Sequence, residues 1–544
     1  MADRYWVGGT DSWNTVALLK WATTSGGVGG AAVPTAADDV YFDSNSGTGT
    51  VTFNQDGVCR NLSFTSGSGS FAGTFTFAAN LTASGSITIV SGMTLNANNR
   101  LTLNATATGN TIQSAGKTLP AITFNGVGGG WQLLGNVVCQ VDCTLTAGAV
   151  DLNNFSLTAP NFLSNNSNVR SIAFGASGSL VLTGSGANLF TTQTTTNWSY
   201  TGSGNVIVAN NSATASTINT GGPAEAFTLN FYFTTGTYAL TESGAFYKTL
   251  DFTGFAGTLP NTARRVYGNL VVSSGMTLTA GVNATTFISS SATPQTITTN
   301  GKTLDFPLIV SAPAGTYRLI DSLTIGATRS FTLTRGTFDA NGQNVSVGSF
   351  ALGSGTKTLT IGTGTWTVVG SGTAWDANTN VASLTVSAST GTINMTSASA
   401  KTFAGGAKAW PTLNQGGSGA LTIQQSNTFA NITDTVQPAT VTLTAGTTQI
   451  VSAFGLAGTA GNLITLNSTS AGSPATLSDS SGTNSVSFVS VKDITASGGA
   501  TWAAYLDNGN VDSGGNTGWD FGLSPTYDIE FSLALRSFTE RKHF

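Results

Sequence analysis

From about Gly47 onward the chain is written in short alternating runs: Val51-Thr52-Phe53, Leu62-Ser63-Phe64, Phe75-Thr76-Phe77, Ile87-Thr88-Ile89, Met93-Thr94-Leu95 and Leu101-Thr102-Leu103. An apolar residue at every second position, with Thr or Ser between, is the period of a half-buried β-strand, and β-branched Thr suits the outward pleat. Each run ends within a few residues at Gly, Asn or Ser, which supply left-handed conformations and side-chain turns for sharp corners. Long runs of Ala, Leu, Glu and Lys at helical spacing do not occur, so the pattern predicts an all-β chain. Strands at this spacing also fit sandwiches and barrels. The scarcity of Asn-Gly hairpin turns and the Thr/Ser monotony favour an elongated β-solenoid, a parallel β-helix with two or three strands per coil. At roughly 20 residues per coil and about 4.8 Å between coils, roughly 450 residues would make a rod on the order of 100 Å long.

The pattern also repeats itself. Gly116-Lys117-Thr118-Leu119 returns as Gly301-Lys302-Thr303-Leu304, Trp131-Gln132-Leu133-Leu134 as Tyr317-Arg318-Leu319-Ile320, and Asp151 as Asp339. Farther on, Gly178-Ser179-Leu180-Val181-Leu182 is matched by Gly364-Thr365-Trp366-Thr367-Val368, and upstream Ser91-Gly92-Met93-Thr94-Leu95 by Ser274-Gly275-Met276-Thr277-Leu278. Small slips of register with the apolar positions kept are the mark of stacked repeats. The expected organisation is a Trp-rich N-terminal cap or attachment module (1–45), a first solenoid copy (46–245), a second (246–385), a C-terminal solenoid section with its cap (386–521) and a C-terminal docking arm (522–544).

The ends differ from the middle. Trp6, Trp13 and Trp21 crowd the first residues, with Asp38, Asp39 and Asp43 not far behind, as a cover for the open end of a first coil would require. The functional alternative is a Trp-lined carbohydrate platform, which makes Trp6, Trp13 and Trp21 candidate glycan contacts. Trp502 and Trp519 suit a closing cap. Phe227, Phe231, Tyr232, Phe233, Tyr238, Phe246 and Tyr247 bunch beside Glu225 and Glu242, as a thick joint between the copies or as an exposed ligand groove. Last, Tyr527, Ile529, Phe531, Leu533 and Leu535 alternate with Asp528, Glu530, Ser532 and Ala534. Such a strand either docks on a partner by β-addition or folds back on its own body.

Composition narrows the chemistry. Only 8% of residues are charged, yet 40% are hydrophobic and Phe occurs 30 times, too apolar for a disordered Gly/Ser chain. A net charge of −4 without a basic cluster speaks against nucleic-acid binding. Cys59, Cys139 and Cys143 read as small core residues, the last two on one face of a single strand. Zinc lacks ligands, since the single histidine is His543, and the same count removes Ser-His-Asp and Cys-His catalysis. Asp305, Asp321 and Asp339 are spaced by close to one coil and could form an acidic stripe for glycoside hydrolysis or calcium, but Asp-Ala-Asn-Gly around Asp339 reads more simply as turn chemistry. The expectation is therefore no enzyme, no cofactor and no metal. The N-terminus shows no apolar signal-peptide core and no 18-residue apolar span follows, so neither export nor membrane insertion is expected from the chain's own signals.

One resemblance stands beside this reading. Tyr5-Trp6-Val7-Gly8-Gly9-Thr10, Lys20-Trp21-Ala22-Thr23-Thr24-Ser25-Gly26-Gly27, Val33-Pro34-Thr35-Ala36-Ala37-Asp38-Asp39-Val40-Tyr41-Phe42-Asp43, Leu250-Asp251-Phe252-Thr253-Gly254-Phe255, and the closing Gly499-Ala500-Thr501-Trp502 and Gly515-Asn516-Thr517-Gly518-Trp519 resemble the Gly/Thr-rich, β-helical structural proteins of tailed bacteriophages, of tail-fibre or minor-virion type. The resemblance covers residues 1 to about 521 and carries no catalytic residue. It implies a structural virion protein, assembled in the infected cytoplasm and probing the host surface, with other virion proteins and a host glycan as partners. It also implies a homo-oligomer, three copies being typical of fibres. A capsid-attached fibre or decoration protein and a tailspike polysaccharide depolymerase are the alternatives.

Overall fold

The structure is a computed structural model that describes residues 2–13, 18–222, 224–387 and 389–525. It is nearly all β, a β-solenoid of parallel stacked coils with about 21 turns in its two compact units taken together, Met1–Thr279 and Ala280–Phe544. Among the described residues no helix is long and apolar enough to cross a membrane.

The rungs of the first unit are built on three strand positions, as in Thr74–Phe77, Leu81–Ala83 and Ile87–Thr88. The sequence dictates this: two to four residues of alternation are followed by a corner residue that cannot continue the strand. The rung strands then pair in parallel with their counterparts one rung on, whereas Asp3–Trp6 with Trp21–Ala22 and Thr65–Ser66 with Gly69–Ser70 pair antiparallel. Phe75 lies against Leu95, 20 residues later, and Val181 against Ile207, 26 later. Rung length is therefore elastic, because the corner loops absorb insertions while the strands hold register. Inward residues form ladders such as Leu81, Leu101, Ile122, Cys143, Phe162 and Phe190, all buried. Outward residues form polar ladders, among them Thr82, Thr102, Thr123 and Thr144.

The second unit is built the same way, with rungs such as Leu421–Gln424, Thr428–Phe429 and Ile432–Asp434. Its core carries an aromatic stack: Phe350 on Trp375 at 4.3 Å and Trp375 on Phe403 at 5.7 Å. At its far end Trp502 meets Trp519 edge-on at 5.3 Å.

The duplication is reproduced strand by strand. Thr118–Leu119, Ala121–Leu133, Val137–Cys139 and Cys143–Asp151 correspond to Thr303–Leu304, Leu308–Leu319, Leu323–Ile325 and Ser330–Asp339. In both copies one long strand runs through a corner, and its register with the next breaks at the same place, between Phe124 and Gly130 in the first and between Val310 and Thr316 in the second. Gly148 and Gly336 sit at that break with φ of 91° and 82°. A Cβ there would lie 2.4 Å from the Gly126 carbonyl oxygen and 1.9 Å from that of Ala312, so both copies need glycine for two independent reasons.

One expectation fails in detail. Cys139 ends one strand and Cys143 begins the next, so the pair straddles a corner instead of sharing a strand face. Both are free and buried, as is Cys59. Contact with the Cys139 thiol, then burial, pushes the Cys143 thiol well above the usual range.

Candidate functional site

Trp6 and Trp21 are fully buried and Trp13 is 2% exposed. Trp13 packs edge-on against Trp21 at 5.0 Å and Phe53 at 4.8 Å, and Trp6 meets Trp21 at 5.2 Å. The indole N–H of Trp6 donates to the Gly9 carbonyl at 3.0 Å. These rings plug the first rungs and present no face to a glycan; their apolar area is worth more inside than as an exposed platform. The outward aromatics of this end are Tyr5 and Tyr41, half-buried, in register on adjacent parallel strands and stacked at 4.8 Å. Alternation could have found them, since Tyr5 precedes inward Trp6 and Tyr41 separates inward Val40 and Phe42. Arg60 Nε donates to Asp39 at 2.7 Å and Asp43 caps the turn that follows, so the early aspartates hold the cap together.

The second feature is a groove of about 280 Å³ where the long strand Ala121–Leu133 turns its corner. Its walls are Thr108, Asn110, Thr111, Gln132 and Asp151, over a floor of Gly130, Ala149 and Trp131. Asp151 accepts from Gln132 Nε2 and from the Asn153 backbone N–H, both at 2.8 Å. Asn110 Nδ2 donates to the carbonyls of Ala107 and Gly130, which leaves its amide oxygen facing away from them. The Trp131 ring is buried, with its N–H on the Gly85 carbonyl at 3.2 Å. This is hydrogen-bonding chemistry for hydroxyl groups, built on amides, hydroxyls and one carboxylate. In the second copy Arg318 replaces Gln132 and pairs with Asp339 at 2.9 Å.

The acidic stripe is not formed. Asp305 follows Thr303–Leu304 and pairs with Arg329 at 2.9 Å. Asp321 lies at another corner and accepts backbone N–H bonds from Thr299 and Asn300 at 2.8 and 2.5 Å. Asp339 accepts from the Asn341 backbone N–H at 2.8 Å as well as from Arg318. Their 16- and 18-residue spacings fall short of the rung here, where Arg318 faces Asp339 and Leu308 faces Phe331. Among the described residues no group of three or more His, Cys, Asp and Glu side chains is gathered as metal ligands.

The groups that sequence reasoning missed are buried cations at the corners. Arg170 is 1% exposed and donates to the carbonyls of Ser164, Asn168, Thr194 and Thr196 and to the Ser164 hydroxyl. Lys401 donates to the carbonyls of Ser397, Gly417 and Gly419, and burial brings its pKa down to about 8. Glu242 and Arg264 form a fully buried pair, Nε to Oε2 at 2.8 Å, joined by the Tyr247 hydroxyl at 2.6 Å and the Thr262 hydroxyl at 2.7 Å. Around them Phe231, Phe233, Tyr238 and Tyr247 point into the core, so more than half of the aromatic cluster is core of the first unit, with Phe227, Tyr232 and Phe246 half-exposed.

Tyr527, Ile529, Phe531, Leu533 and Leu535 lie outside the described residues. No family model, no curated protein and no solved structure matches this chain.

Proposed function

We propose that this protein is a non-enzymatic structural component of a tailed-phage virion, a tail-fibre-like or tail-associated β-helical protein that takes part in host-surface attachment. The observation that carries the proposal is the pairing of inward ladders that are apolar over most of their length with outward ladders of Thr, Ser and Asn, such as Thr82, Thr102, Thr123 and Thr144. Stacked parallel rungs give stiffness, and an outer surface of uncharged hydroxyls and amides resists nonspecific adhesion. The resemblance of the cap and closing motifs to phage structural proteins supplies the virion context. The polar groove beside Asp151 and the Tyr5–Tyr41 pair are the places where a glycan would be met in this reading.

The test is immunogold electron microscopy of intact virions with an antibody raised to residues 526–544, beside the purified protein. Label at the tail, either buried until the particle is disrupted or exposed at tips, supports the proposal. Absence of the protein from purified particles would sink it, and glycan cleavage lost in Asp321→Asn or Asp305→Asn would establish the depolymerase reading instead.

A further inference from the structure

We infer that Cys139 and Cys143 form a redox-modification site, in which the two thiols close to an intramolecular disulfide when the protein meets a small-molecule disulfide such as oxidised glutathione. Cys139 ends the strand Val137–Cys139 and Cys143 begins Cys143–Asp151, so the two flank one corner of a rung. Both side chains point inward, 3% and 0% exposed. Cys139 lies against Leu119 of the rung before, and Cys143 between Ile122 of the rung before and Phe162 of the rung after, all buried. In that apolar setting the two free thiols are in hydrogen-bond contact with each other. The backbone on either side is pinned: the Gln140 N–H donates to the Leu119 carbonyl and the Cys143 N–H to the Asn161 carbonyl, both at 2.9 Å. Closing to the S–S length of about 2.05 Å then asks for rotation of two short side chains, with the strands left in place.

The duplication shows that the fold does not need sulfur here. Ile325 faces Leu304 as Cys139 faces Leu119, and Phe331 faces Leu308 as Cys143 faces Ile122. Both second-copy residues are buried, and they stand six apart (331 − 325) where the cysteines stand four apart (143 − 139). The first copy thus has a shorter corner and, on its two flanks, the one residue type that can join them. Cys59 is the contrast within the same unit: it is buried against Ala83, away from either of the other thiols in the ladder.

The chemistry balances with the small disulfide as oxidant. Gln140 and Val141 are exposed, which puts the surface next to Cys139. Its thiolate attacks one sulfur of oxidised glutathione, whose S–S bond breaks to release one glutathione thiolate. The Cys143 thiolate then attacks the Cys139 sulfur of the mixed disulfide and expels the second glutathione. The two protein thiols give up two electrons, and their two protons end on the two glutathione thiols. The bond ties two strands of one rung across their corner, and it forms as the protein passes from reducing to oxidising surroundings. The inference does not depend on the virion assignment.

The experiment exposes the full, folded, reduced chain to oxidised glutathione, then unfolds it in urea with N-ethylmaleimide and measures its intact mass. With three cysteines in the chain, three alkyl groups are expected without oxidant and one after it, on Cys59. The peptide carrying Cys139 and Cys143 should be lighter by two hydrogens. A chain oxidised while already unfolded in urea should need about ten-fold more oxidised glutathione, since a bond that stabilises the fold is stabilised by it. Cys143→Ala is expected to retain glutathione on Cys139, and Cys139→Ala to take up none. Should a variant fail to fold, the wild-type alkyl count decides alone. Three alkylated cysteines after the oxidant, glutathione retained on wild-type Cys139, a bond between two chains, or a bond formed only in urea would overturn the inference.

Discussion

Lys357 stands in the second copy where Arg170 stands in the first: Gly336 faces Lys357 across the parallel ladder as Gly148 faces Arg170, and both cations are 1% exposed. Each gives its N–H groups to backbone carbonyls, Lys357 to that of Gly355 at 2.6 Å. A corner of the rung brings carbonyl oxygens together without N–H partners, and the cation supplies the missing donors. Removing it leaves those oxygens unsatisfied, at about 1–3 kcal/mol each. Arg170→Met is thus expected to destabilise the first unit by more than about 3 kcal/mol, and Arg170→Lys by about half as much. Urea unfolding followed by tryptophan fluorescence measures both.

Lys401 makes stability depend on alkaline pH. Its folded pKa is depressed from 10.5 to about 8 by burial. Below about pH 8 folded and unfolded chains both hold the proton and there is no slope. Between about pH 8 and 10 the unfolded chain binds the proton that the folded chain has released, so stability rises with pH. Above pH 10 the buried Tyr238 and Tyr247, whose folded pKa values are raised by burial, oppose the gain as tyrosines in the unfolded chain ionise. The gain, on the order of 2 kcal/mol, should vanish in Lys401→Met. Paired urea titrations at pH 7.5 and 9.8 give the difference.

The Glu242–Arg264 pair is expected to be costly to break and cheap to replace. Glu242→Gln leaves a buried guanidinium without its counter-charge, which costs about 3–5 kcal/mol. The double variant Glu242→Leu/Arg264→Met removes both charges and should recover most of that loss. A thermodynamic cycle over the wild type, Glu242→Leu, Arg264→Met and the double variant checks it; equal losses in the single and double variants would refute the interpretation.

Trp375 fills the middle of the aromatic stack between Phe350 and Phe403, yet among the described residues its indole N–H has no acceptor. Trp375→Ala should cost about 3–5 kcal/mol through the cavity it opens. Trp375→Phe keeps a ring in the stack and removes the unpaired donor, so a loss of no more than about 1.5 kcal/mol is expected. Thermal unfolding of the two variants separates cavity from polarity.

Gly336→Ala tests the strained corner. A Cβ 1.9 Å from the Ala312 carbonyl oxygen forces the backbone apart at a φ that L-residues avoid. The expected loss exceeds about 2 kcal/mol, and Gly148→Ala should behave alike in the first copy. By contrast Gly301→Ala, with open space around the added carbon and the same sign of φ, isolates the conformational share alone.

The alternation of apolar residues with Thr was enough to read strands and their inward faces, because inward position is a matter of period and survives any corner length; choosing parallel coils over a sandwich or barrel took the scarcity of Asn-Gly hairpin turns and the slipping repeat as well. The duplication was legible for the same reason, through Gly116–Leu119 and Gly301–Leu304. What lay beyond the pattern was the corners. Strands such as Ala121–Leu133 contain four glycines that read as turn residues but run through a bend, where the register with the next strand breaks and resumes at Gly130. The buried arginines and lysines look in sequence like surface charge, since nothing local marks the carbonyls and the carboxylate that converge on them from neighbouring rungs. The tryptophans of the cap read in sequence either as a cover or as a glycan platform, and what turns them inward is packing against Phe42 and Phe53 one rung away.

The constancy of the register has a further consequence for how the chain is made. Thr82 waits for Thr102, and Thr102 for Thr123, and no strand of these ladders depends on a partner hundreds of residues away. Closing a loop of about 20–27 residues costs nearly the same at every step, since the entropy grows only with the logarithm of loop length. A chain emerging from the ribosome can therefore lay each coil on the one before it, starting from the tryptophan plug, with the unfinished edge always at the point of synthesis. Length adds no topological difficulty, and a protein of this kind gains rungs by duplication without slowing the assembly of those already there.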